Sequence, residues 1–198
     1  MIYKLKDILL ATTNKDKIKE LIPVLETKFH VLTLHDFPPM EDCLETGNTY
    51  KENAIQKATF YFNRTGIPTI SDDSGMEVFS LNNEPGIFSA RWYDKNHKNV
   101  EGNNRKLIEE LHKKNLSESR GKYTTTVVYK DSETVITDSF DIFGIVKDTP
   151  KGIYGFDYDF YFYPDKFDNV KSMAELTEQE RQMVSARCNA LKKLIKKL

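Results

Sequence analysis

The chain has 198 residues, with 29 Lys and Arg against 30 Asp and Glu, a formal net charge of −1. That length is enough for one globular domain with a sizeable core, undivided or in two lobes, and needs no disulfide or metal staple. The cancellation of charge argues against a long nucleic-acid footprint or a polybasic membrane patch, which need a cationic excess, and leaves a small polyanionic substrate open.

Residues 8–11 form a short apolar run suited to a buried strand. Thr12-Thr13-Asn14 stops it, and Ile18, Leu21, Ile22 and Leu25 then recur at helical spacing. Residues 30–34 read as a second strand, followed by a Pro-containing acidic loop through Asp42. Tyr50, Ala54, Ala58 and Tyr61 or Phe62 predict a helix that Gly66 and Pro68 end. Residues 67–71 and 76–81 read as two strands interrupted by Asp72-Asp73-Ser74-Gly75, which sets two carboxylates at a strand end. A short helix over 103–111 precedes a hairpin of 122–129 and 134–146, joined by Asp131-Ser132-Glu133. Gly152 and Gly155 bracket a turn before an aromatic strand over 158–163. Thr177 with Glu180 forms a capping box that opens a helical tail to Leu198. The class is α/β with a twisted, partly antiparallel sheet, and without repeats or a low-complexity linker, residues 1–198 read as one domain.

Candidate chemistry gathers in a few segments. Thr12 to Lys17 lies between a strand and a helix, where backbone N–H groups, the helix dipole and a first-turn Lys favour an anion, although no Walker-type glycines are present. Asp72 and Asp73, with Glu45 and Glu52 upstream, are adjacent carboxylates that call for a divalent cation or one raised pKa; a plain acidic turn is the competing reading. Gly155-Phe156-Asp157-Tyr158-Asp159 offers aromatic faces for a base and a carboxylate for a ring N–H, or simply core aromatics at a strand edge. Arg181 and Arg187 offer guanidinium groups near the C-terminal helix. Six residues of continuous helix turn through about 600°, leaving these arginines roughly 120° apart, so both reach one ligand only if the helix breaks, with Ser185 the natural cap of a second helix.

In this order the stretches LLATTNKDKIKEL, ETGNTYKENAIQKA, SDDSGMEVFSLNNEPGIFSARW, GIYGFDYDFYFYP and SMAELTEQERQMVSARCNAL resemble the inosine triphosphate pyrophosphatase family over Leu9 to Leu191. The resemblance implies an elongated mixed sheet flanked by helices, with two lobes around a central substrate cleft, and a homodimer. It implies hydrolysis of deaminated purine nucleoside triphosphates (ITP, dITP, XTP) to monophosphate and pyrophosphate, with Mg²⁺ or Mn²⁺ assisting water attack on the α-phosphorus. Thr12, Asn14 and Lys17 would hold the triphosphate, with Lys57 and Ser74 at the phosphate end. Asp73 would be acid-base residue and metal ligand, with Glu45 and Asp72 completing the acidic cluster. Phe156 and Tyr158 would stack on the base, Asp159 would contact its ring and Arg187 its keto group, with Arg181 also in the substrate site. Hypoxanthine and xanthine present a ring N–H beside a keto oxygen, whereas adenine presents a bare ring nitrogen beside an amino group, so Asp159 and Arg187 would favour the first pattern.

The chain departs from the family's usual pattern at several positions. Ala186 stands for a common His, Arg181 for Lys, Asp157 and Thr13 for Gly, and Phe160 for Pro. Competing readings are a related pyrophosphatase for pyrimidine or modified nucleotides, a nucleotide-binding module without turnover, and a nucleic-acid binder. The last is prompted by Lys192, Lys193, Lys196 and Lys197, which read better as a solvated helix face. Cys43 and Cys188 lack pairing or ligand spacing, Trp92 reads as packing, and no stretch is long and apolar enough to span a membrane. Together these features suggest a cytoplasmic protein without nucleic-acid or membrane partners.

Overall fold

In the computed structural model, which describes residues 5–198, β1 (Lys6–Leu10) buries Ile8, Leu9 and Leu10 completely, as an apolar strand covered on both faces must. It lies parallel to β2 (Phe29–Thr33) and to β3 (Thr69–Val78). Between them run α1 (Lys15–Leu25), capped by Asn14, and α2 (Tyr50–Thr65), capped by Thr49 and ended by Gly66 in the left-handed region at φ 67°. The remaining elements are β4 (Glu84–Pro85), α3 (Val100–Lys113), β5 (Glu118–Lys130), β6 (Val135–Lys147), β7 (Phe162–Pro164), α4 (Glu178–Met183) and α5 (Ala186–Ile195). The sheet runs β2-β1-β3-β5-β6-β7, with β4 added antiparallel to β3 and β7 antiparallel to β6. The expected mixed α/β sheet is present.

The chain divides into two compact units. The first comprises the described residues through Asp73, Thr125–Phe140 and Arg187–Leu198; the second comprises Ser74–Thr124 and Asp141–Ala186. In the first unit, strand alternation sends side chains two ways. Ile8, Leu10 and Ile70 pack with Leu21 and Leu25 of α1 and with Ala190, Leu191 and Leu194 of α5. Leu9 and Ala11 pack with Tyr61 of α2. The second unit closes around Met76, Val78, Leu107, Leu111, Val146, Tyr158 and Phe162, joined by Trp92. Trp92 is therefore packing, as its sequence context suggests.

Several expected boundaries shift. The strand expected to break at Asp72-Asp73-Ser74-Gly75 is one continuous ten-residue β3. Turn propensity is a weak local preference, and the hydrogen bonds and cations around this segment override it. The aromatic strand expected over 158–163 shrinks to β7, because residues 158–161 turn instead, with Tyr161 N–H donating to the Tyr158 carbonyl. The helical tail breaks at Val184 and Ser185, between α4 and α5. Among the described residues no helix is long and apolar enough to cross a membrane. Lys192, Lys193, Lys196 and Lys197 are solvent-exposed.

The Thr177–Glu180 capping box forms. Glu180 accepts from Lys171 Nζ at 2.7 Å and from the Thr177 amide at 2.9 Å, and these bonds lower its pKa to about 2. A lowered carboxylate contributes stability that is fully present above its unfolded value of about 4.3 and lost as pH falls toward the folded value. Glu180→Gln is therefore expected to be less stable than wild type at pH 6, with the gap closing below pH ~3. Thermal melts across that range check it, and a gap independent of pH would contradict it.

Candidate active site

The centre of the first unit is built on β3, where alternation turns Asp72 and Asp73 to opposite faces. Asp72 shares the face of Ile70, toward α1 and α5. Its Oδ2 accepts from Lys17 Nζ at 2.8 Å and from Arg187 Nε at 3.0 Å, and the residue is 1% exposed. Burial alone would raise its pKa, but Lys17, Arg187 and Lys57 together hold it well below the usual carboxylate range. Arg187 also pairs with Glu20 of α1. Asp72, expected in an acidic metal cluster, is instead the anchor of two cations.

Asp73 turns toward α2 and is nearly as buried, yet its electrostatic setting is opposite. Asn53 Nδ2 donates to its Oδ2 at 3.1 Å. Burial, reinforced by the negative charge of Glu45 and only partly opposed by Lys57, raises its pKa to about 6. Lys57 pairs with Glu45 and donates to the Asp72 carbonyl at 3.0 Å. Burial pulls the Lys57 pKa down, but Asp72, Glu45 and Asp73 outweigh it and leave the ammonium firmly charged. Lys17, by contrast, is lowered because burial outweighs the attraction of Asp72, with Arg187 and Lys57 adding repulsion.

Thr12 and Asn14 are engaged as caps at the start of α1. Asn14 Oδ1 accepts from the Asp16 and Lys17 amides at 2.9 and 3.2 Å, and Thr12 Oγ1 accepts from the Asn14 amide at 3.2 Å. Ser74 follows Asp73 on β3 and is half-buried. No group of three or more His, Cys, Asp or Glu residues that could hold a metal occurs among the described residues. Glu45 and Asp73 nonetheless supply hard oxygen donors whose charges destabilise each other. One or two carboxylates are the usual protein share of a Mg²⁺ site that phosphates and water complete, so the donor set fits such an ion.

In the second unit, Asp157 adopts the left-handed conformation at φ 51°, so it keeps the backbone path that a glycine would take there. Asp tolerates that region better than most residues, and Asn104 Nδ2 donates to its carbonyl at 3.2 Å. Phe156 is half-buried, but Tyr158 is 1% exposed and its hydroxyl donates to the Ser89 carbonyl at 2.9 Å. Tyr158 is thus a core ring rather than a stacking surface, because its neighbours already cover both ring faces. Asp159 is 4% exposed and pairs with Arg181 at 2.8 Å. The helix break required for Arg181 and Arg187 to share a ligand is present; Arg181 pairs with Asp159, and Arg187 with Asp72 and Glu20.

Sequence reasoning missed Glu20 and Asn53. Both had a readable signal: Glu20 lies three residues after Lys17 on α1, and Asn53 four before Lys57 on α2, spacings that share a helix face.

The fold is that of an α/β protein built on a mixed sheet. The sequence profile of the Ham1 family matches residues 8–197. A dITP/XTP pyrophosphatase of Geobacter sulfurreducens is 36% identical over 186 residues, covering 93% of this chain and 92% of that protein. One of Lactiplantibacillus plantarum is 37% identical over 196 residues, covering 98% and 95%. The structure of the Staphylococcus aureus Ham1 protein aligns with TM-score 0.84 at 34% identity, covering 96% of each chain. The chain belongs to the Ham1 family.

Proposed function

We propose that this protein hydrolyses deaminated purine nucleoside triphosphates to the monophosphate and pyrophosphate, by attack of water on the α-phosphorus. The observation that carries the reading is the division of labour on β3. Asp72 is ionised and paired with Lys17 and Arg187, while the adjacent Asp73, its pKa raised to about 6, is suited to accept a proton near pH 7. The dITP/XTP pyrophosphatases at 36–37% identity support the substrate class. The Ham1 profile, which spans residues 8–197, supports one pyrophosphatase domain.

Phosphoryl transfer needs charge neutralisation and an aligned nucleophile more than covalent chemistry from the protein. Lys17 and Lys57 supply fixed cations for the triphosphate, with Thr12, Asn14 and Ser74 as hydroxyl and amide partners. Asp73 orients the water and takes its proton. Glu45 and Asp73 would hold Mg²⁺, which supplies charge stabilisation on the phosphate oxygens. Phe156 is assigned to the base face and Asp159 to its ring N–H. Cys43 and Cys188 are reduced among the described residues, which supports a reducing, cytoplasmic setting. The resemblance supports a homodimer, which light scattering tests.

Pyrophosphate release measured over the common purine and pyrimidine triphosphates and ITP, dITP and XTP, with and without Mg²⁺, tests the assignment. ITP and XTP are expected to lead, with release abolished by a chelator and restored by Mg²⁺. A pyrimidine leading the panel would replace the substrate class. Ala186 stands where the family commonly has His, and one such hydrogen bond is worth roughly 0.5–1.5 kcal/mol. Ala186→His is accordingly expected to raise the ratio of kcat/KM for ITP over ATP by about 2- to 10-fold. An unchanged ratio would show that this position has no part in selectivity.

A further inference from the structure

Arg181 makes more contacts than a surface cation awaiting a phosphate. Its Nη1 donates to Asp159 Oδ2 at 2.8 Å, and its Nη2 donates to the Tyr154 and Met173 carbonyls at 2.6 and 2.8 Å. The same Asp159 oxygen accepts from the Phe156 amide at 3.2 Å, so among the described residues the carboxylate's hydrogen bonds use Oδ2, which leaves Oδ1 to accept from a ligand. Gly155 closes the arrangement, since a Cβ there would lie 2.8 Å from the Asp159 Cβ. The planar spread of donors lets one guanidinium reach the carboxylate and both carbonyls at once, whereas an ammonium could pair with Asp159 as a point charge.

We propose that Arg181 is a positioning residue that sets base selectivity, holding Asp159 as a pure hydrogen-bond acceptor for the ring N–H of a deaminated purine instead of contacting the substrate itself. The inference rests on the assignment of Asp159 to the base. A carboxylate accepts from the ring N–H of hypoxanthine and repels the bare ring nitrogen of adenine; a neutral carboxyl group can donate to adenine and loses the distinction. Asp159 is buried, and burial together with the negative charge of Asp157 pushes it toward the neutral form, with Arg181 as the opposing cation. Without that cation the site would accept both purines.

The test is the ratio of kcat/KM for ITP over ATP in wild type, Arg181→Gln, Arg181→Met and Arg181→Lys, with folding checked by circular dichroism. The neutral variants are expected to lower the ratio at least about tenfold, through a higher KM for ITP and a gain on ATP. Arg181→Lys, which keeps a cation beside Asp159, restores most of it. Met offers no donor and keeps a long side chain, so it serves if Gln prevents folding. A phosphate-binding arginine would instead weaken both nucleotides equally and leave the ratio unchanged, which overturns the inference. A wild type with no ITP preference removes the base assignment and the inference with it; a preference that survives both neutral variants removes the inference alone.

Discussion

Asp73→Asn is expected to fold and to lose about 10²- to 10⁴-fold in kcat, the range that a positioned general base contributes. The substitution preserves shape. Asn53 Nδ2 still finds an amide oxygen where it now donates to Asp73 Oδ2 at 3.1 Å. Stability should hold or rise, because burial disfavours the ionised carboxylate that the amide replaces. The comparison needs kcat at saturating nucleotide and Mg²⁺, beside a thermal melt of the same preparation. A folded variant with near wild-type kcat would move the base to another residue.

Asp72→Asn is expected to act mainly on the fold. Asp72 lies 1% exposed between Lys17 and Arg187, and the amide cannot neutralise either cation. Removing one partner from a buried ionic network commonly costs about 3–5 kcal/mol, since the remaining charge has lost both water and counterion. Arg187 retains Glu20, which places the expected cost at the lower end, while among the described residues Asp72 is the acid that pairs with Lys17. At roughly 2–4 °C per kcal/mol for a chain of this size, Tm should fall by about 6–12 °C. Denaturant unfolding measures the loss directly. A change below about 1 kcal/mol would mean that the cations find other partners or water.

These variants stand on neighbouring residues with opposite expected outcomes. The dipeptide is conspicuous in the sequence, where two adjacent acids call for a divalent cation or one raised pKa. The raised pKa belongs to Asp73, whereas Asp72 meets two basic side chains instead of a metal cluster. Strand alternation separates the carboxylates onto two faces, and the helices on those faces differ in charge. Asp72 meets Lys17 and Arg187, whereas Asp73 meets Asn53 and the field of Glu45.

Other elements show where sequence reading stops. The apolar periodicity of α1 and α2, with the caps at Asn14 and Gly66, is a local signal, and both helices occur where it places them. A helical-wheel argument makes a break between Arg181 and Arg187 only the condition for both to reach one ligand; that a break occurs, between α4 and α5, is decided by the folded chain. In the sequence Tyr158 reads either as a core ring or as a stacking ring, because an aromatic residue in a glycine-hinged segment serves either purpose. Its hydrogen bond to the Ser89 carbonyl, 69 residues away, makes it a core residue.

The near-equality of positive and negative charge, the α/β order of elements and the residues bearing chemistry are properties of the sequence by itself, because periodicity, caps and motif order are local. Which acid meets which cation belongs to the tertiary structure. Arg187 reaches Asp72 across 115 residues of chain, and Arg181 reaches Asp159 across 22. The contacts that pair Asp72 with two cations, raise the pKa of Asp73 and set Asp159 against Arg181 arise only when separate elements pack, since burial and the neighbouring charge set the state of each group.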